Sequence, residues 1–419
     1  MSALPIAIST RQTSSRSASR SGRALLALVV AAGAVIVLLV AGASSAELAL
    51  YWAVGLSIGA VLSRGRVCFA GAFRDLVLMR NGVMLRAVLV GIAVALPAYA
   101  LIQYRAVPNA GFGALPPNAH ITPLGLNLVV GGLLFGVGMV VAGGCVSGTL
   151  YRIGEGYLAS WASLGGILVG LQLASYSWNI WWIAHIQYAP MVWLPASVGY
   201  AGAVALSLAA LAAAYMAILW WESRDAGPPM PPLAGRAVVA PIGFAAQLAA
   251  IKNTILVKGW PPLIAVAALA WLNVASYLID HPIGVTGELA SWADRAASLL
   301  AIGAPALLGT DLFAGCNLVL ENLGLVSSRT MLDGGLIVGA FLAASGAGEF
   351  KLRAPRQKRR YVQSAVGGVA MGYGAGIAVG CTLGAFFSAI PSLGLNGWVF
   401  GLALLAGAAV GVQVIRRIA

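Results

Sequence analysis

The chain has 419 residues, of which 60% are hydrophobic and only 9% charged, against about 25% charged in a soluble domain. No water-soluble fold hides so large an apolar share, so the composition places the chain in a membrane. The net charge of +13 is no nucleic-acid footprint, because the Lys and Arg residues fall in a few short connections between apolar runs, where they report topology.

Residues 1–23 are rich in Ser and Arg and contain no acid, and they predict a disordered basic tail on the cytoplasmic side. Residues 24–46 predict an extra N-terminal helix. The closing Ala41–Ala46 loosely resembles a signal-peptidase site, but the apolar run is long for a signal peptide, so an uncleaved helix is expected. Residues 47–220 form a first transmembrane half, with runs such as Leu124–Gly144 and Pro195–Leu219 close to the roughly 20 residues a helix needs to cross a bilayer. Residues 221–260, with Pro228, Pro229, Pro231 and Pro232, break the pattern and predict a cytoplasmic linker. Residues 261–419 form the second half. The basic connections at 64–86 and 351–360 and Arg416/Arg417 mark one side as cytoplasmic, and the nearly uncharged stretches Arg105–Pro123 and Trp178–Tyr188 mark the outside. The expected fold is therefore an all-α polytopic membrane protein with its N-terminus in the cytoplasm.

An internal repeat refines this expectation. Gly131, Gly132, Gly136, Gly138, Ala142, Gly144, Cys145 and Gly148 recur without a gap as Gly367, Gly368, Gly372, Gly374, Ala378, Gly380, Cys381 and Gly384. The charge count makes the first copy enter from outside and the second from the cytoplasm. Inverted repeats are typical of secondary transporters, whose sites lie near the midplane where helices are broken. Between His281 and Lys351 an odd number of crossings is required, yet two apolar stretches occur, 297–318 and 334–346. One of these two is predicted to be re-entrant, lining protein or a water-filled cavity.

Cys145 and Cys381 each end a Gly-rich apolar segment, and the residues after them, from Val146 and Thr382, predict a helix break. Freed backbone N–H groups at such a break attract an anion. A lone Cys in a membrane helix ordinarily acts as a small hydrophobe, but two in register across inverted copies favour a functional role. Cys68 lies in a segment too short and charged to span, and two readings stand side by side: a loop dipping into the membrane, or a basic turn held by lipid phosphates. Its counterpart in the second half is the short Gly-rich stretch His281–Gly287, which includes Gly284, Val285 and Thr286, on the outside. Arg152 and Glu155, three residues apart, predict a helical ion pair near membrane depth. No CxxC, zinc-type His/Cys spacing or GxxxxGK[ST] occurs, so neither a metal, another cofactor nor ATP is expected.

Taken in order, Arg64–Asp75 (RGRVCFAGAFRD), Ala142–Gly156 (AGGCVSGTLYRIGEG), Gly284–Thr286, Glu349–Arg353 (EFKLR) and Gly367–Cys381 make the chain resemble the YeeE/YedE sulfur-transport family, and within it the TsuA-type thiosulfate transporters. The resemblance covers most of residues 47–415. It implies a bacterial inner-membrane transporter, not an enzyme, with an hourglass-like fold of inverted halves whose short central loops line a thiosulfate path into the cytoplasm. By motif match the path is expected to hold Cys68, Cys145, Cys381, Gly144, Gly380, Thr382, Gly284, Val285 and Thr286, with Arg152, Glu155 and Cys316 as support. The chain departs from the family in reading VGC at Val379–Cys381, where GGC is frequent. The expected partners are thiosulfate, membrane lipid and a cytoplasmic sulfur-carrier or sulfurtransferase protein. Two alternatives remain: transport of a related anion such as sulfite or selenite, or a membrane thiol-redox enzyme or sulfurtransferase. The latter needs a low-pKa thiolate.

Overall fold

Inside a bilayer every backbone N–H and C=O must be paired within the protein, which leaves helices as the form for long apolar runs. The computed structural model describes residues 13–224, 259–312 and 326–418. Before the linker lie α1 (Thr13–Ser44), α2 (Ala46–Gly65), α3 (Phe69–Met79), α4 (Val83–Ala106), α5 (Leu126–Ala142), α6 (Val146–Gly154), α7 (Leu158–Ala184) and α8 (Pro195–Ser223). After it lie α9 (Pro262–Ile279), α10 (Thr286–Leu299), α11 (Ser328–Gly346), α12 (Arg359–Ile377), a π-helical turn (Thr382–Ser388) and α13 (Leu395–Ile418). Among the described residues eight helices are long and apolar enough to cross a membrane, or nine if α12 and the π-helical turn, bent by 48°, count as one broken span. The chain is an all-α, multi-pass membrane protein.

One expectation needs correction, and a second is narrowed. α1 begins at Thr13, inside the stretch read as a disordered tail. Ser, Ala and Arg are compatible with helix, and once the apolar run has nucleated a helix each added residue costs little. Of the two stretches expected to hold the re-entrant segment, 334–346 lies inside the continuous helix α11, and 297–318 lies partly outside the described residues. The short element is α10, which has 14 residues and, at about 1.5 Å per residue, falls short of the roughly 30 Å hydrocarbon core. Its polar face, with Glu288, Ser291, Asp294 and Arg295, concealed it from a reading based on apolar runs. Most of the linker expected at 221–260 and all of 313–325, including Cys316, lie outside the described residues.

The two copies of the Gly repeat pack directly on each other. A Cβ on Gly131 would lie 2.6 Å from Gly374 O, and one on Gly374 would lie 2.5 Å from Gly131 O. Gly138 and Gly367 face each other in the same way, at 2.6 and 2.8 Å. Early residues of α5 thus meet late residues of α12 and the reverse, so the copies run antiparallel. Only glycine lets backbones come this close.

The remaining pairings exchange partners between the two parts of the chain. Glycines seat α2 against α11 and α7 against α12, while α5 packs on α13 and α4 on α9. The short helices then meet at the centre. Phe69 of α3 contacts Phe387 of the π-helical turn edge to face with centroids 5.7 Å apart, and Phe73 contacts Phe386 at 5.6 Å, a favoured aromatic geometry.

Candidate functional site

Four helix breaks surround this centre. α2 ends at Gly65, Arg66 adopts a left-handed conformation (φ 47°), and Cys68 is extended. The Cys68 sulfur then caps α3 by accepting from Gly71 N at 3.3 Å. α5 ends through left-handed Gly143 (φ 81°), a standard helix-terminating role for glycine, and the Cys145 sulfur caps α6 by accepting from Gly148 N at 3.3 Å. α12 ends at Ile377, Val379 sits in the left-handed region (φ 57°), and Cys381 precedes the π-helical turn. The fourth break runs from Asp280 to Val285 and leads into α10. It carries no cysteine.

At the basic end, which bears Arg64, Arg66 and the 351–360 run, Cys68 lines a chamber of about 510 Å³ with Arg66, Arg152, Glu155, Glu349 and Lys351. Arg152 Nη2 lies 3.8 Å from the Cys68 sulfur, while Nη1 donates to Gly143 O. One guanidinium therefore ties the breaks before α3 and α6 together. A Cβ on Gly144 would lie 3.1 Å from Arg152 Nη1, so this glycine makes room for the guanidinium. Glu349 joins the rim by pairing with Arg64 at 3.2 Å and Arg66 at 3.3 Å.

The ion pair expected between Arg152 and Glu155 does not form. Glu155 Oε1 instead accepts from Ser63 Oγ at 2.7 Å. Spacing of three residues brings side chains together only while the helix continues, and α6 ends at Gly154 with Glu155 as its C-cap. Burial pushes the Glu155 carboxyl upward, partly offset by the Ser63 hydroxyl and by Arg353 and Arg152.

At the opposite end a tight cavity of about 10 Å³ is lined by His120, His281, Gly284, Gly287, Arg329 and Ser388 among others. Space of that size holds about one water molecule. The His281 ring stacks on Tyr51 with centroids 4.8 Å apart, and His281 N donates to Tyr51 Oη at 3.0 Å. Ser388 Oγ lies 3.1 Å from Ile283 O and 3.2 Å from Asn273 Oδ1, fastening the π-helical turn to the fourth break. Burial alone pushes the His120 imidazole, in the loop before α5, down to about 4, so it is uncharged at neutral pH. A Cβ on Gly380 would lie 3.1 Å from His120 Cε1, which puts His120 beside the Cys381 loop.

Cys145 is 1% exposed and Cys381 is fully buried, and neither lines the chamber or the tight cavity. Val285, Thr286 and Thr382 are buried, and Thr382 Oγ1 has no hydrogen-bond partner among the described residues. Sequence reasoning gave no role to His120 or Arg329, and placed His281 only as the first residue of the stretch paired with the Cys68 segment. The pairing of the Gly284 stretch with the Cys68 break was the available signal, since it marked the fourth break from which His281 projects.

The sulphur transport family profile matches residues 64–410. The chain is 28% identical over 378 residues to the thiosulfate transporter TsuA of Spirochaeta thermophila, covering 84% of this chain and 94% of that protein. It is 28% identical over 347 residues to TsuA of Escherichia coli, covering 82% and 88%, and 35% identical over 164 residues to the probable transporter YedE of Salmonella typhimurium, covering 39% of each. A match from the break before α3 to late in α13 takes in all four helix breaks, and the chain accordingly belongs to the sulphur transport family, YeeE/YedE.

Proposed function

We propose that this protein imports thiosulfate across the bacterial inner membrane, handing the ion along Cys381, Cys145 and Cys68 toward the cytoplasm. Family membership and the names of its relatives make it a sulfur-anion transporter rather than an enzyme. The observation that carries the finer reading is that each of three cysteines occupies the residue before a short central helix. Thiosulfate has one soft sulfur end and a double negative charge. At α3 and α6 the same residue offers a weak S–H donor beside backbone N–H groups that favour negative charge. Arg152 supplies the first full positive charge at the Cys68 end, and Arg329 does so at the other. The thiols remain neutral and pass the ion by transient hydrogen bonds.

The 510 Å³ chamber is the cytoplasmic exit in this reading, where a soluble sulfur carrier or sulfurtransferase collects the ion. The basic segments at 64–86 and 351–360 lie on that side with the N-terminus, against anionic lipid. Uptake of labelled thiosulfate by cells lacking other importers tests the proposal, with parent, Cys145→Ala and Cys381→Ala at matched membrane expression. Uptake that collapses in both variants supports the thiol path. Equal uptake by all three overturns the path, and no uptake by the parent overturns the substrate.

A further inference from the structure

Arg152, Tyr157 and Arg353 form a wall with a cavity on each side. One side is the chamber that holds Cys68; the other is a separate space of about 330 Å³ reaching Arg360 and Ser364 on α12. The two spaces differ in chemistry. The Cys68 chamber carries the carboxylates of Glu155 and Glu349, whereas among the described residues no acidic residue and no sulfur atom lines the side chamber.

Three guanidiniums face the side chamber, and among the described residues none of them has a carboxylate within ion-pair distance. Arg353 is held in place by stacking on Tyr157 at 4.6 Å and by donating to Glu349 O at 2.8 Å. Arg360 donates to Gln363 Oε1 at 3.2 Å. Each of these contacts uses a small part of the five N–H donors of a guanidinium. The hydroxyls of Ser160, Ser163, Thr149 and Ser364 complete the lining, all on residues less than 9% exposed. Thr149 Oγ1 donates to Cys145 O at 3.0 Å and lies 3.4 Å from Ser163 Oγ. Ser160 and Ser364 line the same cationic cavity as Arg152, Arg353 and Arg360. Cys145, which belongs to the same break, turns its sulfur away to Gly148 N.

We infer that this side chamber is a binding site for a hard, tetrahedral oxyanion group. Guanidinium forks and hydroxyl donors match the oxygens of such a group, and the lack of thiols removes any preference for a soft sulfur end. The site goes beyond the transport reading and does not depend on thiosulfate being the cargo. Its ligand is free sulfate or phosphate, or the phosphate of a lipid headgroup entering beside Arg360.

The test is thermal unfolding of the purified full-length protein in nanodiscs of neutral phosphatidylcholine, with sodium sulfate titrated against sodium chloride at equal ionic strength. A second arm replaces sulfate with phosphatidylglycerol in the disc. Arg360→Gln and Ser364→Ala alter the site at one exposed and one buried position, and Arg416→Gln is the control for a surface cation elsewhere. Saturable stabilisation by sulfate, weakened about tenfold by both site variants and unchanged in the control, supports a free-anion site. Stabilisation by phosphatidylglycerol alone with the same variant pattern supports the site with a lipid headgroup as its source. No stabilisation in either arm, or stabilisation that the site variants leave unchanged, overturns the inference.

Discussion

The Cys68 sulfur and Arg152 Nη2 lie 3.8 Å apart, and the same guanidinium donates to Gly143 O one break away. A planar fork serves two partners at once where an ammonium serves as a point charge. Arg152→Gln is expected to lower thiosulfate uptake tenfold or more, by about the loss of one charge-assisted contact, while Arg152→Lys keeps part of it. Equal rates for parent and Gln variant at matched expression would remove Arg152 from the path.

Gly138 lies against the other repeat copy, where an added Cβ would stand 2.5 Å from Met371 N and 2.6 Å from Gly367 O. Both obstacles are backbone, so the helices must separate to admit even one methyl group. Gly138→Ala is expected to cost about 1–3 kcal/mol, read as a lower Tm in detergent. Gly165→Ala, at a position with open space around it, is expected to leave Tm within experimental scatter.

His120 titrates near 4 in the folded protein because burial disfavours its charged form, against about 6.5 in an unfolded chain. The unfolded state therefore binds the proton more tightly. The resulting stability is complete above pH 6.5 and is lost as pH falls from there toward 4. Between pH 7 and pH 5 the loss from His120 is about 2 kcal/mol. Burial shifts His281 in the same direction. Tm measured at both pH values is expected to fall on acidification, and to fall less in His120→Gln. An equal fall in parent and variant would contradict the burial argument.

Val379 holds a left-handed backbone (φ 57°) two residues before Cys381, a conformation that costs a β-branched residue roughly 1–2 kcal/mol. Val379→Gly puts at this place a residue that adopts the left-handed backbone without a Cβ penalty. It is expected to raise Tm by removing that strain, less the entropy a glycine adds to the unfolded chain. A lower Tm would show that the packing of the fully buried Val379 side chain outweighs the backbone strain.

Much of the architecture was legible because its signals are local. Gly runs with a cysteine in register announced two helix ends, and the charge count gave the copies the opposite sense in which Gly131 meets Gly374. The Arg152–Glu155 pairing was misread because a three-residue spacing carries no information about whether the helix continues, and α6 stops one residue too soon. The cavity of His120, His281 and Arg329 assembles from a loop before α5, the fourth break and the start of α11. Only tertiary packing unites them, and no spacing in the chain records it. α10 escaped notice because its Glu288 is satisfied by Trp292, Ser327 and Thr330, a network that makes a charged short helix tolerable in a buried position.

The exchanged helix pairs have a consequence for how the protein is made. α5 finds its close neighbours in α12 and α13, and α2 finds its own in α11, all of them synthesised after the linker. Contacts between such distant parts of a chain form late and slowly. When the ribosome reaches Ser223 the emerging helices have open glycine faces and nothing to close them. The first helices must wait in the bilayer, unpacked, until α11 to α13 arrive, so assembly is completed only after nearly the whole polypeptide has been inserted, and a chain interrupted at the linker leaves glycine grooves exposed to lipid and to quality-control proteases.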